Sequence, residues 1–174
     1  LYNDLTVRLD FDRAGLNVQD VLRLTMEVAR QIADRLGDAG KPLIAARLKA
    51  AEIAGSDGRY QASDAGRIPQ PLAEAIGAAV AAAGRPVLLV LDTLEVLRAR
   101  GDGHPRRLFE WLDTLVVAGL RPLRVIAAGR GDALDSCADR VGCPVMLAGL
   151  DPRLANITST VALFPGQVTT DRKS

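Results

Sequence analysis

The feature that most constrains the fold is a short apolar run that ends on an acid, Val87–Asp92 (VLLVLD). Its five large apolar residues show no period-two alternation, and they are too few to cross a membrane. Such a run predicts a strand that is buried on both faces, which requires helices above and below a parallel sheet. We therefore expect an α/β fold, a three-layer α/β/α sandwich with a mainly parallel sheet.

Asp92 would then stand at the carboxyl end of this strand, the edge at which parallel sheets collect their ligands. A carboxylate in that position is suited to hold Mg²⁺, directly or through water. An aspartate at a strand end also caps the following turn in many proteins. The run alone leaves both interpretations open.

A second strand of the same kind, residues 123–128, ends in a polar cluster with Arg130 between two glycines. Residues 104–118 lie between the two strands and predict a helix, with Trp111 on its apolar stripe and Gly119 placed to end it. A strand, a helix and a strand in this order predict one right-handed crossover. The acid Asp92 and the base Arg130 would then share one edge of the sheet.

The remaining pattern adds helices before this unit and strands after it. Alternation in residues 5–11 predicts an edge strand, and Asn17 is expected to cap a helix that runs to about Leu36. The other expected elements are helices over 42–55 and 71–83, a short helix over 132–140, a strand over 144–147, a helix start at 151 and a strand over 158–164. We expect one domain over residues 1–155 and a tail over 156–174 that contributes an extra strand.

Composition excludes several classes of protein. The chain has 174 residues, 48% of them hydrophobic, and a net charge of +1, which indicates a globular protein and gives no argument for nucleic-acid binding. Two cysteines without a histidine nearby do not predict a zinc site, and free thiols fit a cytoplasmic protein. We find no signal peptide or membrane segment in the sequence, and since it starts at Leu1 rather than Met we expect the native start to lie upstream.

These residues resemble the P-loop ATPases of the additional-strand class, and within it the bacterial STAND and AAA+ signalling ATPases. Residues 87–92 are similar to the Walker B strand, residues 93–95 to the turn that follows it in STAND proteins, and residues 124–130 to the sensor 1 strand. Residues 5–11 are similar to the strand that follows the phosphate-loop helix. The resemblance implies an ATP-dependent switch that hydrolyses its nucleotide slowly, with other domains of a longer chain and self-association as further partners.

The resemblance also implies a role for four residues. Asp92 would orient Mg²⁺ and its waters on ATP, and Arg130 would contact or sense the γ-phosphate through a charge-assisted hydrogen bond. Glu95 would polarise the attacking water. Thr93 stands where many AAA+ proteins carry that glutamate, and it would either be a spectator or position water through its hydroxyl.

One part of the family pattern is absent. A phosphate-binding loop needs the pattern G-x-x-x-x-G-K-[ST], and these 174 residues do not contain it. The family's sheet has the strand before that loop at its centre, next to the sensor 1 strand. Three interpretations remain open: the sequence is an excerpt, another segment such as residues 158–164 fills the gap, or the resemblance is superficial.

Two further hypotheses come from other classes. The first is a non-catalytic α/β interaction module, which includes a degenerate NTPase. The second is a Mg²⁺-dependent phosphohydrolase that uses Asp10, Asp12 and Asp92. The phosphohydrolase requires these three carboxylates to converge on one metal ion.

Overall fold

The computed structural model describes residues 3–13, 16–56, 68–130, 143–147 and 159–164. The elements follow in the order β1 (Leu5–Asp10), α1 (Val21–Leu36), a 3₁₀ turn (Gly37–Gly40), α2 (Lys41–Ser56), α3 (Gln70–Ala83), β2 (Val87–Asp92), α4 (Leu94–Arg100), α5 (Gly103–Val117), β3 (Leu123–Arg130), β4 (Cys143–Leu147) and β5 (Ser159–Phe164). The fold class is α/β, as expected.

The sheet is mixed, with the strand order β1-β2-β3-β5-β4. The first three strands are parallel, and β5 runs antiparallel to both of its neighbours, β3 and β4. The predicted edge position of β1 is confirmed. So is the strand expected in residues 158–164, which lies directly beside β3 rather than apart from the sheet.

The core lies on one face of the three parallel strands. In β2, Val87, Leu89 and Leu91 are fully buried, whereas Leu88 and Val90 between them remain partly exposed. The expectation that this strand is buried equally on both faces is therefore not met. Crossovers between parallel strands are right-handed as a rule, which puts the helices of two successive crossovers on one face of the sheet. The buried cluster unites residues of all five helices, α1 to α5, with the buried residues of the three strands.

The helix starts show where local hydrogen bonding overrides a sequence pattern. Asn17 does not cap α1 as predicted; its side chain accepts a hydrogen bond from the backbone N–H of Gln19 in the preceding turn. Asp20 is the N-cap instead, and it accepts from the N–H of Arg23 at 2.9 Å. The end of α1 at Leu36 agrees with the prediction.

The other predicted helices and strands agree with the structure to within a few residues, with one omission. The seven-residue helix α4 was not predicted, and its first two residues lie in the stretch 93–95 that was compared with a turn. The predicted short helix over 132–140 and the helix start at 151 lie outside the described residues. None of the helices in the described ranges combines the length and the apolar character that a membrane span requires.

Two side-chain contacts fix α1 against the rest of the fold. Trp111 of α5 is buried, as expected, and its indole N–H donates to the hydroxyl of Thr25 at 3.0 Å. On the outer edge of β1, the amide of Gln31 accepts from the N–H of Arg8 at 2.9 Å and donates to its carbonyl at 2.8 Å. Gln31 thus takes the place of a neighbouring strand at an edge that would otherwise be unpaired.

Candidate functional site at the carboxyl edge of the sheet

The carboxyl ends of β1 and β2 bring two acids together. Asp10 is the last residue of β1, Asp92 is the last residue of β2, and the parallel register places them opposite each other. Both belong to the sheet face that the helices leave partly exposed. The predicted position of Asp92 at this edge is therefore correct, and Asp10 is its nearest acidic neighbour in the register.

Thr93 connects the two strand ends. Its hydroxyl oxygen lies 3.0 Å from Oδ1 of Asp10 and 2.7 Å from the carbonyl oxygen of Asp92, and it accepts from the N–H of Asp12 at 3.1 Å. The N–H of Thr93 donates to Oδ1 of Asp92 at 2.9 Å. Together these contacts hold the connection between β2 and α4 against the end of β1.

The backbone of Thr93 is strained. Its φ of 59° and ψ of 44° place it in the left-handed region, where it is the only non-glycine residue with positive φ among the described residues. A β-branched residue there costs on the order of 1–3 kcal/mol and persists only where its surroundings enforce it. The hydrogen bonds at the strand ends provide that enforcement.

The carboxylate of Asp10 is held in its ionised form. The hydrogen bond from Thr93 lowers the pKa of Asp10 most, and the backbone N–H of Asp12 lowers it further. Arg8 and Arg13 add favourable charge, and the guanidinium of Arg13 lies 3.8 Å from the carboxylate. The pKa of Asp10 therefore lies below its ordinary value, although partial burial opposes the shift.

Arg8 is a member of the site that the sequence did not reveal. Its Nη2 donates to Oδ2 of Asp92 at 2.5 Å, although the two residues are 84 positions apart. The arginine side chain is 60% exposed, so the pair contributes little to stability, about 0–1 kcal/mol. Its importance is positional, because it places a cation on the acid predicted to orient a metal.

A second arginine, Arg100, fixes the loop beside the site. At the end of α4, its guanidinium donates to the carbonyl of Leu16 at 2.9 Å and to the carbonyl of Phe11 at 3.1 Å. The segment after β1 is therefore tied to α4. The alternating polar face of β1 was a signal for Arg8, but no local pattern pointed to Arg100.

The other predicted site residues follow the strand ends or lie at one of them. Glu95 lies in the first turn of α4, partly exposed, and Arg130 is the last residue of β3. Asp12 is exposed and contributes its backbone N–H to Asp10. No three acidic, histidine or cysteine side chains within the described ranges form a group that could hold a metal ion. The phosphohydrolase hypothesis, which needs Asp10, Asp12 and Asp92 on one metal, gains no support.

A comparison of the chain with protein-family models, with curated proteins and with solved structures finds no match. The resemblance to STAND and AAA+ ATPases therefore depends on the residues of β1, β2, β3 and the connection after β2. It remains a prediction.

Proposed function

We propose that this chain carries the metal-orienting and sensing half of an ATP-dependent switch of the STAND or AAA+ type. The observation that supports this most directly is Asp92 at the carboxyl end of β2, the middle one of three parallel strands. Ligands of parallel α/β sheets bind at this edge. The strained residue Thr93 immediately after Asp92 adds support, because such strain concentrates at functional positions.

The donor set is compatible with a magnesium ion held through water. Each oxygen of the Asp92 carboxylate accepts one hydrogen bond, from Arg8 and from the N–H of Thr93, so each retains a lone pair for a metal-bound water. A bound Mg²⁺ would neutralise charge on the triphosphate. Arg130, at the end of β3, would sense the γ-phosphate, and Glu95 would orient the attacking water.

Affinity for the nucleotide is expected to be weak in these 174 residues alone. The glycine-rich loop and its lysine supply most contacts to the phosphates in P-loop enzymes, and the sequence has no such pattern. The aspartate edge contributes orientation rather than binding strength. Arg8 lowers the affinity further, because it must share or release Asp92 when the metal ion arrives.

A specific observation favours a second candidate, a non-catalytic interaction module derived from an NTPase. Strand β5 runs antiparallel along β3 from Phe164, opposite Val125, to Ser159, opposite Arg130. In the family pattern this position belongs to the strand that leads into the phosphate-binding loop. A chain with β5 there has no room beside β3 for that strand, unless β5 is displaced.

Calorimetry with Mg-ATP tests the two candidates. The chain is measured as it stands and in a form lengthened by whatever residues its gene encodes ahead of Leu1, each with Asp92→Ala and with Asp102→Ala as the control. Asp102 is an exposed aspartate at the start of α5, and it belongs to none of the strands. The switch predicts binding in the longer form that Asp92→Ala weakens and Asp102→Ala does not. Absence of Mg-ATP binding in both forms would contradict the hypothesis of an ATP-dependent switch and favour the interaction module.

A further inference from the structure

A cleft of about 710 Å³ lies along the outer edge of β1, between that strand, the polar side of α1 and the first half of α2. It is rich in arginine. Six arginines line it: Arg8, Arg13, Arg23, Arg30, Arg35 and Arg47. Three carboxylates line it as well, those of Asp10, Glu27 and Asp34.

The carboxylates of the cleft are already engaged within the protein. Glu27 accepts two hydrogen bonds from Arg30, at 2.8 and 2.6 Å, and Asp34 accepts one from the same guanidinium at 2.7 Å. The contact with Arg30 lowers the pKa of Glu27 and raises the pKa of Arg30, so both stay charged. Asp10 is held by Thr93 and by a backbone N–H.

An excess of positive charge remains after these pairs are formed. Six guanidinium groups stand against four carboxylates, the three of the lining and that of Asp92, which pairs with Arg8, so two positive charges remain uncompensated. Among the described residues, no carboxylate lies within ion-pair distance of Arg23, Arg35 or Arg47, which come from two different helices. Their charges therefore act on the contents of the cleft.

Arg47 provides a second, independent indication. Its Nε is buried from solvent and has no hydrogen-bond partner. A buried donor that is left unpaired is unfavourable, more so when the group is charged. Because this atom has no exposed surface, an acceptor from outside the chain reaches it only when the Arg47 side chain turns toward the cleft that it lines. The three guanidinium groups without an ion pair favour an anion as that acceptor.

We propose that this cleft binds a small anion with two or more phosphate groups. A guanidinium group matches the geometry of phosphate oxygens with two parallel N–H donors, and an excess of two positive charges suits a ligand with at least two negative charges. The volume lies within the range of small-molecule pockets, about 300–1,000 Å³. A long polyanion fits less well, because Glu27 and Asp34 stand in the wall that it would have to follow.

This site does not depend on the proposed ATP switch. It needs neither Mg²⁺ nor Asp92, although Arg8 belongs to both places. Binding is therefore tested with inorganic pyrophosphate in the presence of a metal chelator, under which the aspartate edge contributes nothing. Failure of the cleft and failure of the switch can then be told apart.

The experiment is calorimetry of the chain with pyrophosphate at low salt, for the wild type, Arg47→Gln, Arg23→Gln and a control, Arg106→Gln. Arg106 is an exposed arginine of α5 outside the cleft, so its substitution removes the same charge from a different place. We expect each cleft variant to weaken binding about tenfold or more, as the loss of a charged hydrogen bond implies, and Arg106→Gln to leave it within about twofold.

Arg23 is exposed, so its variant tests the cleft even where Arg47→Gln disturbs the fold, which circular dichroism would show. Arg47→Lys keeps the charge and loses the paired donors, and an intermediate affinity is expected. Three results would overturn the proposal: no binding of pyrophosphate by the wild type, an equal loss with Arg106→Gln, or a higher affinity for polyglutamate than for pyrophosphate. The last would indicate an acidic protein segment as the ligand.

Discussion

The two faces of the same three parallel strands differ in burial and in charge. On one face, Leu89 and its neighbours in the register, Val7 and Val125, lie in a core shared with five helices. On the other face, the strands are partly exposed and end in the charged contacts of Arg8 and Asp92. Alternation of side chains along a strand thus separates the residues that stabilise the sheet from those available for binding. Substitutions at the charged edge should consequently change ligand binding and side-chain pKa values more than the free energy of unfolding.

The largest expected effect separates the two faces within one strand. Leu89→Ala removes a fully buried side chain, and we expect it to lower the free energy of unfolding by about 3–5 kcal/mol. Leu88→Ala, on the partly exposed face, should cost less than half of that, because less apolar surface returns to water. Urea denaturation of both variants measures the difference. Equal losses would mean that the second face is packed as tightly as the first.

The next effect concerns polar groups on the two faces. Thr25→Val leaves the buried indole N–H of Trp111 without its acceptor, and we expect a loss of about 1–3 kcal/mol in unfolding free energy. Thr6→Val is the same substitution at a partly exposed position of β1, and it should change stability by less than about 0.5 kcal/mol. Thermal unfolding followed by tryptophan fluorescence reports both. A small effect at Thr25 would contradict the assignment of its hydroxyl as the acceptor.

The elements that the sequence predicted well had a clear apolar pattern. Strands β2 and β3 were predicted from continuous apolar runs, and helix α3 from its periodic apolar stripe and from Gly84, which ends it in the left-handed conformation. Helix α4 was missed, because its N-cap is a threonine with positive φ, which local propensity disfavours. Leu94 and Leu97, three residues apart and both buried, were the available signal for it.

Of the candidate site, the sequence predicted the residue at the end of a strand but not the contacts between strands. Asp92 was expected at the carboxyl edge because an apolar run ended there, and the structure places it so. The contact between Arg8 and Asp92 requires the order and register of two strands that are separated by three helices, and no local pattern encodes these. The arginine cleft likewise forms only when β1, α1 and α2 come together.

A smaller effect sharpens the comparison at the outer edge of β1. Gln31→Ala removes both hydrogen bonds to the backbone of Arg8, and we expect a loss of about 1–2 kcal/mol. Gln70→Ala, at an exposed glutamine whose side chain donates to Glu74 within its own helix, serves as the control and should stay within about 0.5 kcal/mol of the wild type. Light scattering adds a second readout, because an uncovered strand edge promotes association between chains. An unchanged stability and a monomer in both variants would show that Gln31 does not protect the edge.

The smallest expected effect concerns the pKa of Asp10 at the exposed edge and its small contribution to the free energy of unfolding. Thr93→Ala removes the hydroxyl that lowers the pKa of Asp10 most, so this pKa should rise toward its ordinary value. Thr93→Ser keeps the hydroxyl and should leave the pKa low, which makes it the matched control. Because the folded pKa of Asp10 lies below the unfolded one, its contribution to stability is present above the unfolded pKa and is lost as the pH falls through the folded pKa. The difference in stability between the alanine and serine variants should therefore be larger at neutral pH than in strong acid.

Carboxyl carbon chemical shifts of Asp10, followed by NMR from neutral to acid pH, measure the pKa directly. Identical titration curves for the two variants would show that the Thr93 hydroxyl gives its proton to the carbonyl of Asp92 rather than to Asp10, and the two strand ends would then be joined through the backbone alone.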